Sequence, residues 1–405
     1  MMKNKSQKNI SDGWQEIRVD DVFNFLRTYA ISRENLINNT NNNVGIGNIH
    51  YGDIYSTYNS SNIDLRNVSV PLVKDNEFSP NEEDFLNDGD LIMADVSEDY
   101  EGIGVTVSIH GIEDKKVVGG LHTFVLRDVN KKTNERYRQY IFRNPEIRNK
   151  LKKIANGVSV YGISKNNLAK LLINLPPLPE QGRIVAVLEV WDEMVGKMAR
   201  KIEIKKNIKK GLMQELLSGK KRLRGFSEKW TSLEFSDCFY VQSKIKGEKK
   251  QDYLKEGLFP VVDQSQNKIA GYSNNQDFVI KNSLPFIIFG DHTRILKLID
   301  FPFILGNDGT KVFQGKEKYD TTFLFYLLDT ISVPNTGYNR HFKFLKDLIL
   351  EIPKLKEQKA IADILVMADR EIEKLEEKLK IIKEQKKFLL NNLITGNIRT
   401  PVDKK

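Results

Sequence analysis

Leu175-Pro176-Pro177-Leu178-Pro179-Glu180-Gln181 returns 177 positions later as Ile352-Pro353-Lys354-Leu355-Lys356-Glu357-Gln358. The likeness runs without a gap between residues 171–222 and residues 348–399. Both copies close alike, on Leu216-Leu217-Ser218-Gly219 and Leu393-Ile394-Thr395-Gly396, with Arg222 and Arg399 three residues further on. A duplication of this length divides the chain into two globular regions, each followed by the repeated segment.

Each copy reads as one helix of nearly forty residues. Prolines precede it, a Glu-Gln pair stands in its first turn and a glycine follows its end, which are helix start and stop signals. In the second copy Ile361, Leu365, Ala368, Ile372, Leu375, Leu379, Ile382, Leu389 and Leu393 form a four-three heptad seam broken at Lys386. The first copy keeps that register through Ile184, Leu188, Trp191, Val195, Met198 and Ile202, drifts to Ile204 and Ile208, and recovers at Leu212 and Leu216. Helices of about 58 Å, far longer than an ordinary globular helix, predict a coiled-coil pair.

The 405 residues are 40% hydrophobic, enough for more than one core, and carry a net charge of +9, which favours an anionic partner such as nucleic acid. One cysteine, Cys238, excludes an intrachain disulfide framework and a cysteine-built zinc site. Met1–Asp12 is polar and no apolar run of membrane-spanning length occurs, so a soluble cytoplasmic chain is expected.

The first globular region, from about Trp14 to Asn174, begins Trp14-Gln15-Glu16-Ile17-Arg18-Val19-Asp20-Asp21-Val22-Phe23. Strands are predicted at Ile46–Ile54, Asp90–Met93, Val105–Ile109 and Thr123–Arg127, and helical spacing follows from Tyr137 to Ile154. The second region opens alike at Trp230–Phe239, then offers strands at Phe278–Ile280, Phe286–Phe289, Ile295–Ile299 and Phe303–Leu305 and a helix at Phe323–Leu328. Both are α+β patterns, with shared ends and divergent interiors.

Connectivity constrains the arrangement. The dozen residues from Leu217 to Trp230 span at most roughly 40 Å, and a domain of this size has a radius of gyration near 14 Å. The second helix is therefore expected to start near the end of the first and run back antiparallel, in a pseudo-twofold molecule. The expected divisions are 1–174 for the first module, 175–224 for the first spacer helix and its linker, 225–350 for the second module and 351–405 for the second helix.

This order, with Leu-Pro-Pro-Leu-Pro-Glu-Gln opening the spacer and Leu-Leu-Ser-Gly closing it, resembles the specificity subunit of Type I restriction-modification systems over essentially the whole chain. Ile49-His50-Tyr51-Gly52-Asp53-Ile54 and Gly89-Asp90-Leu91-Ile92-Met93-Ala94-Asp95 are similar to stretches of that family's target recognition domains. So are Phe289-Gly290-Asp291-His292-Thr293 and Gly337-Tyr338-Asn339-Arg340-His341-Phe342-Lys343. The resemblance implies that each module reads half of a split, asymmetric double-stranded DNA target for phage defence, with the helices fixing the gap. It implies two adenine-methyltransferase partner subunits and two restriction and translocase subunits. S-adenosylmethionine, ATP and Mg would sit on those partners, leaving this chain without cofactor or metal.

No catalytic constellation stands against that. A Gly-x-x-x-x-Gly-Lys-Ser/Thr phosphate loop is missing, and Asn174-Leu175-Pro176-Pro177 has the wrong order for an amino-methyltransferase motif. Glu376, Glu377 and Lys378 echo a nuclease only superficially, since a heptad helix makes them a solvated face. The competing readings are a stand-alone two-module DNA regulator, a nuclease with an unrecognised site, and a coiled-coil interaction protein.

Candidate DNA contacts are donors and planar side chains between strands, because Arg or Lys grips guanine, Asn or Gln adenine, and hydroxyl and basic groups phosphate. In the first module these are Asn48, His50, Tyr51, Tyr161 and Lys165, supplemented by the Asn38–Asn43 loop. In the second they are Lys244, Lys246, Gln264, Gln266, Asn267, His292, Thr293, Arg294, Tyr338, Arg340, His341 and Lys343. The basic run Lys197, Arg200, Lys201, Lys205, Lys206, Lys209 and Lys210 reads either as a phosphate track or as a face packed on acidic partners.

Overall fold

A computed structural model describes residues 13–38, 45–58, 62–75, 77–243, 245–306, 309–337 and 339–400. The chain forms two compact units, one of residues 1–196 with 380–405 and one of residues 197–379. The long helices, Leu178–Leu216 and Leu355–Thr395, each contribute one half to either unit.

In the first unit Gln15–Arg18 pairs antiparallel with Leu172–Leu175, tying the start of the module to its end. A five-stranded sheet runs in the order Asn24–Leu26, Thr123–Arg127, Leu91–Ala94, Thr106–His110, Asn62–Asp64, antiparallel except for the last pair. Its central strand is buried on both faces, because side chains alternate across a sheet. Leu91 and Met93 join a core with Ile147, Leu151, Ile184, Leu188, Leu393 and Ile394. Ile92 and Ala94 join Ile49, Ile63, Val107 and Val125 on the other side. The predicted strand Ile46–Ile54 stops at Ile49, and Tyr51–Ser56 is helical. His50 breaks the run: its Nδ1 accepts from the Gly52 N–H, while the Asp53 carboxylate accepts from the His50 N–H at 3.0 Å.

The second unit closes in the same way, with Thr231–Glu234 antiparallel to Ile349–Ile352. Its antiparallel sheet runs Phe239–Val241, Thr310–Gly315, Phe286–Gly290, Leu296–Ile299. Ile287 and Phe289 pack with Leu216, Ile361 and Leu365, whereas Phe286 and Ile288 pack with Val262, Phe303 and Val312.

The repeated Glu-Gln pair is the hinge pin of each unit. Glu180 is fully buried and accepts from Arg399 Nε at 2.6 Å and Nη2 at 2.7 Å, and from Trp14 Nε1 at 3.3 Å. Glu357, 2% exposed, accepts from Arg222 Nε and Nη2, both at 2.7 Å. The Gln181 side chain accepts from the Asn134 N–H and donates to the Pro176 carbonyl, and Gln358 does the same with Asp320 and Pro353. In each unit, then, the glutamate grips the arginine beyond the end of the other long helix, and the glutamine fastens its own module to the helix start.

Within each unit the helix halves run antiparallel, since Asp192 meets Lys386 and Glu180 meets Arg399 in the first, and Lys209 meets Asp369 and Arg222 meets Glu357 in the second. Ile184, Leu188, Ile202, Leu216, Ile361, Leu365, Ile372, Ile382 and Leu393 are buried. Trp191, Val195, Met198, Leu212, Ala368, Leu375, Leu379 and Leu389 are half-buried. The expected drift does not occur. Ile204 and Ile208 are 58% and 51% exposed, and the four-three spacing continues through half-buried Lys205 and Lys209. Long lysine stems can line an apolar seam while the ammonium reaches an acid at its edge. Lys205 does so with Glu371 at 2.8 Å and Lys209 with Asp369 at 2.6 Å.

Lys209 and Lys386 occupy the same repeat position, as do Asp192 and Asp369. The two seam irregularities are thus one device used twice. A lysine at a seam position specifies register at a cost in stability. Replacing Lys386 by Leu should therefore raise stability in urea denaturation by on the order of 1 kcal/mol, because a partly exposed ion pair contributes little. A loss of stability would show the ion pair to outweigh the buried apolar area.

Candidate nucleic-acid interface

In both modules the edge of the site is built on an aspartate that ends the central strand. Asp95 follows Leu91–Ala94, and Asp291 follows Phe286–Gly290. The Asp95 N–H donates to the His122 carbonyl and its own carbonyl accepts from the Ile163 N–H. The Asp291 N–H donates to the Gly309 carbonyl, and its carbonyl accepts from the His341 N–H. Strand end, opposing turn and the segment before the last short helix of the module therefore converge at one place in each unit.

In the first unit the convergence gathers aromatic and imidazole rings. The Tyr51 ring lies tilted 4.6 Å from that of His50, meets His122 in a T-shaped contact at 5.5 Å and lies 6.5 Å from Tyr55. The Tyr51 N–H donates to the Leu121 carbonyl, holding the two turns side by side. Tyr161 enters through its pairing with Ser97, two residues beyond Asp95. Asn48 is fully buried and donates to the Tyr29 carbonyl. His50 is 8% exposed, and burial first, then the Arg33 guanidinium, holds its pKa down, consistent with an Nδ1 that accepts a hydrogen bond. Asn48 and His50 thus shape the site from within, whereas Tyr51 is half-buried and Lys165 is exposed over the Phe25 ring.

In the second unit the turn that carries His292 to Arg294 and the segment that carries Arg340 and His341 come together through Asp291. Its Oδ1 accepts from the Phe342 N–H at 2.8 Å, and its carbonyl lies 2.9 Å from His341 Nδ1. The Thr293 hydroxyl donates to the Gln264 carbonyl, and Arg294, in the left-handed region at φ 63°, donates to the Val333 carbonyl. A Cβ at Gly309 would lie 2.7 Å from His292 and 2.9 Å from Gln264, so these two side chains fill the space above that turn. Asn267 is exposed, and its carbonyl together with that of Asp263 receives the buried Lys297 ammonium, whose pKa burial lowers. His341 is fully buried. Lys246, Gln266, Arg340 and Lys343 are exposed, and no described contact brings Lys246 to the Asp291 cluster. Lys244, Tyr338 and Asn39–Asn43 lie outside the described residues.

His122 is not among the candidates read from the sequence, and the two organising aspartates stand there only within family-like stretches, Asp95 closing Gly89–Asp95 and Asp291 inside Phe289–Thr293. Both aspartates also share a local signal, since each directly follows a short run of strand residues in its module. Three residues of the basic run, Lys205, Lys206 and Lys209, pair with Glu371, Glu376 and Asp369, and of the seven only Lys205 and Lys209 are half-buried. The buried Cys238 thiol is pushed up to about 11 by burial. Among the described residues there is no cluster of metal-ligating side chains, and no helix is long and apolar enough to cross a membrane.

The family model of the Type I restriction modification DNA specificity domain matches the chain twice, at residues 11–209 and 227–384. The chain therefore belongs to the Type I restriction-modification specificity-subunit family, whose members are non-catalytic and recognise DNA for enzymatic partner subunits. A Methanocaldococcus jannaschii protein provisionally named the MjaX type I restriction enzyme specificity subunit is 28% identical over 344 residues, covering 77% of this chain and 79% of its own. The MjaVIII type I restriction enzyme specificity subunit of the same organism is 27% identical over 298 residues, covering 64% of this chain and 70% of its own. In fold, the chain is similar to the Type I S subunit from M. genitalium, with a TM-score of 0.56 at 14% identity over 96% of this chain and 98% of that one.

Proposed function

We propose that this chain is the DNA-reading scaffold of a Type I complex in the cytoplasm. Each module reads one half of a bipartite double-stranded target. The paired helices set the gap and carry two methyltransferase subunits, and through them two restriction and translocase subunits. S-adenosylmethionine, ATP and Mg belong to those partners. The observation that carries this reading is the contrast between what the repeat keeps and what it varies. The Glu-Gln and Arg clamp, buried in both units, sets the same helix-start geometry twice, and two equivalent partners require such equivalent frameworks beneath their docking surfaces. The side chains around Asp95 and Asp291 differ, as two different half-sites require.

Methylated adenines, mapped by long-read sequencing in cells with and without this gene, should reveal a two-part motif that disappears with it. Replacing residues 1–174 by the corresponding module of a relative should change one half of that motif only. A change in both halves would refute modular reading, and a methylation pattern independent of the gene would refute the function.

A further inference from the structure

We propose that His122 is a base-reading side chain of the first module, meeting through Nε2 an amino group on a base edge of that module's half-site. The inference rests on the DNA-reading function above and goes beyond it to one residue and one chemistry.

Three observations carry it. His122 adopts φ 54°, a conformation uncommon for residues with a side chain and costly enough to suggest a use. Its counterpart, the residue whose carbonyl receives the strand-end aspartate N–H in the second module, is Gly309 at φ 62°. The turn itself therefore needs no side chain. Second, the imidazole is held yet accessible. Its Nδ1 lies 3.4 Å from Asp95 Oδ1, its ring stands perpendicular to that of Tyr51, and the side chain remains 47% exposed. That Asp95 oxygen is buried and has no hydrogen-bond partner of its own, so the imidazole is its nearest complement. An Nδ1–H directed at the carboxylate leaves the Nε2 lone pair on the far side of the neutral ring, an acceptor for adenine N6 or cytosine N4. Third, the space that His122 fills is not left empty in the other module. Above Gly309 it is taken by Gln264 and His292, reaching in from other turns. Both modules thus present a polar planar side chain at one equivalent place, by different routes.

The test uses the full chain assembled with its methyltransferase subunits and reads the methylated motif for wild type, His122→Gly and His122→Asn. The glycine variant copies the second module and relieves the positive φ, which offsets the loss of the imidazole beside Asp95, so the purified complex should melt close to wild type. One position in one half-site should lose discrimination by about tenfold, the lower end for a base contact. An A·T pair at that position identifies adenine N6 as the group read, and a G·C pair identifies cytosine N4. His122→Asn, also tolerant of positive φ, should alter the same position. An unchanged motif in the glycine variant, a uniform loss of methylation without altered preference, or changes in both halves would each overturn the assignment while leaving the DNA-reading function standing. A wild-type complex without a two-part motif would instead overturn that function, and the His122 assignment with it.

Discussion

Arg399→Ala should destabilise the first unit by about 3–5 kcal/mol, the usual cost of stranding one member of a buried ion pair. Glu180 has no exposed surface, and both its oxygens are occupied by the Arg399 guanidinium, with Trp14 sharing one of them. Removing the arginine leaves a carboxylate with a single indole donor. The Arg399 side chain is itself 36% exposed, so water can enter the vacated space and the lower end of the range applies. The double replacement Glu180→Met with Arg399→Met should recover most of the loss, because the cost lies in the uncompensated charge rather than in the missing attraction. Arg222→Ala should act likewise on the second unit through Glu357, 2% exposed. Urea denaturation decides this, and an Arg399→Ala loss below about 1 kcal/mol would place the pair among ordinary surface bridges.

Asp291→Ala should act on recognition more than on stability. The carboxylate is 3% exposed and its Oδ1 accepts from the Phe342 N–H, so truncation leaves a buried amide unsatisfied at about 1–3 kcal/mol. The same bond fastens the segment carrying Arg340 and His341 to the strand end that carries His292 to Arg294. Released from each other, these groups can no longer be held in one arrangement for a base edge. Discrimination in the second half-site should fall roughly 5- to 150-fold, equivalent to a base contact of about 1–3 kcal/mol, with the first half-site unaffected. Asp291→Asn keeps an acceptor at the same place and should remain near wild type. Competition binding with DNAs altered in either half measures both, and equal behaviour of the Ala and Asn variants would dispose of the idea.

Periodicity and duplication made the large features legible before any coordinates. The offset repeat located both long helices, and short unbroken apolar runs located the central strands, because both patterns arise from burial on a regular backbone. What escaped was local and chemical. Ile204 and Ile208 drew the seam away from Lys205 and Lys209, since an apolar count cannot see that a lysine stem is buried when an acid on the facing helix receives its head. Tyr51–Ser56 looked like a continuation of its strand, because the cap at His50 depends on one imidazole nitrogen rather than on a hydrophobic period. The Glu-Gln pair announced a helix start but not its long-range partners, Arg399 and Asn134 for one copy and Arg222 and Asp320 for the other. Asp95 and Asp291 were invisible as organisers because their partners, backbone groups of His122, Ile163, Gly309, His341 and Phe342, are distant in sequence and carry no residue code.

The two units also differ in how they are threaded. The second is one continuous stretch, residues 197–379, whereas the first needs residues 380–405 to be complete. Leu393 and Ile394 belong to its core, the Asn144 amide donates to the Ile394 carbonyl, and Arg399 supplies the counter-ion of Glu180. At about 5–20 residues per second, a ribosome leaves the first module waiting on the order of 10–40 s for the segment that seals it. During that interval its face around Ile184 and Leu188 lacks its cover and Glu180 lacks its arginine. The module made first is therefore expected to mature last, and truncation before Leu393 should expose the N-terminal module, rather than the C-terminal one, to proteolysis.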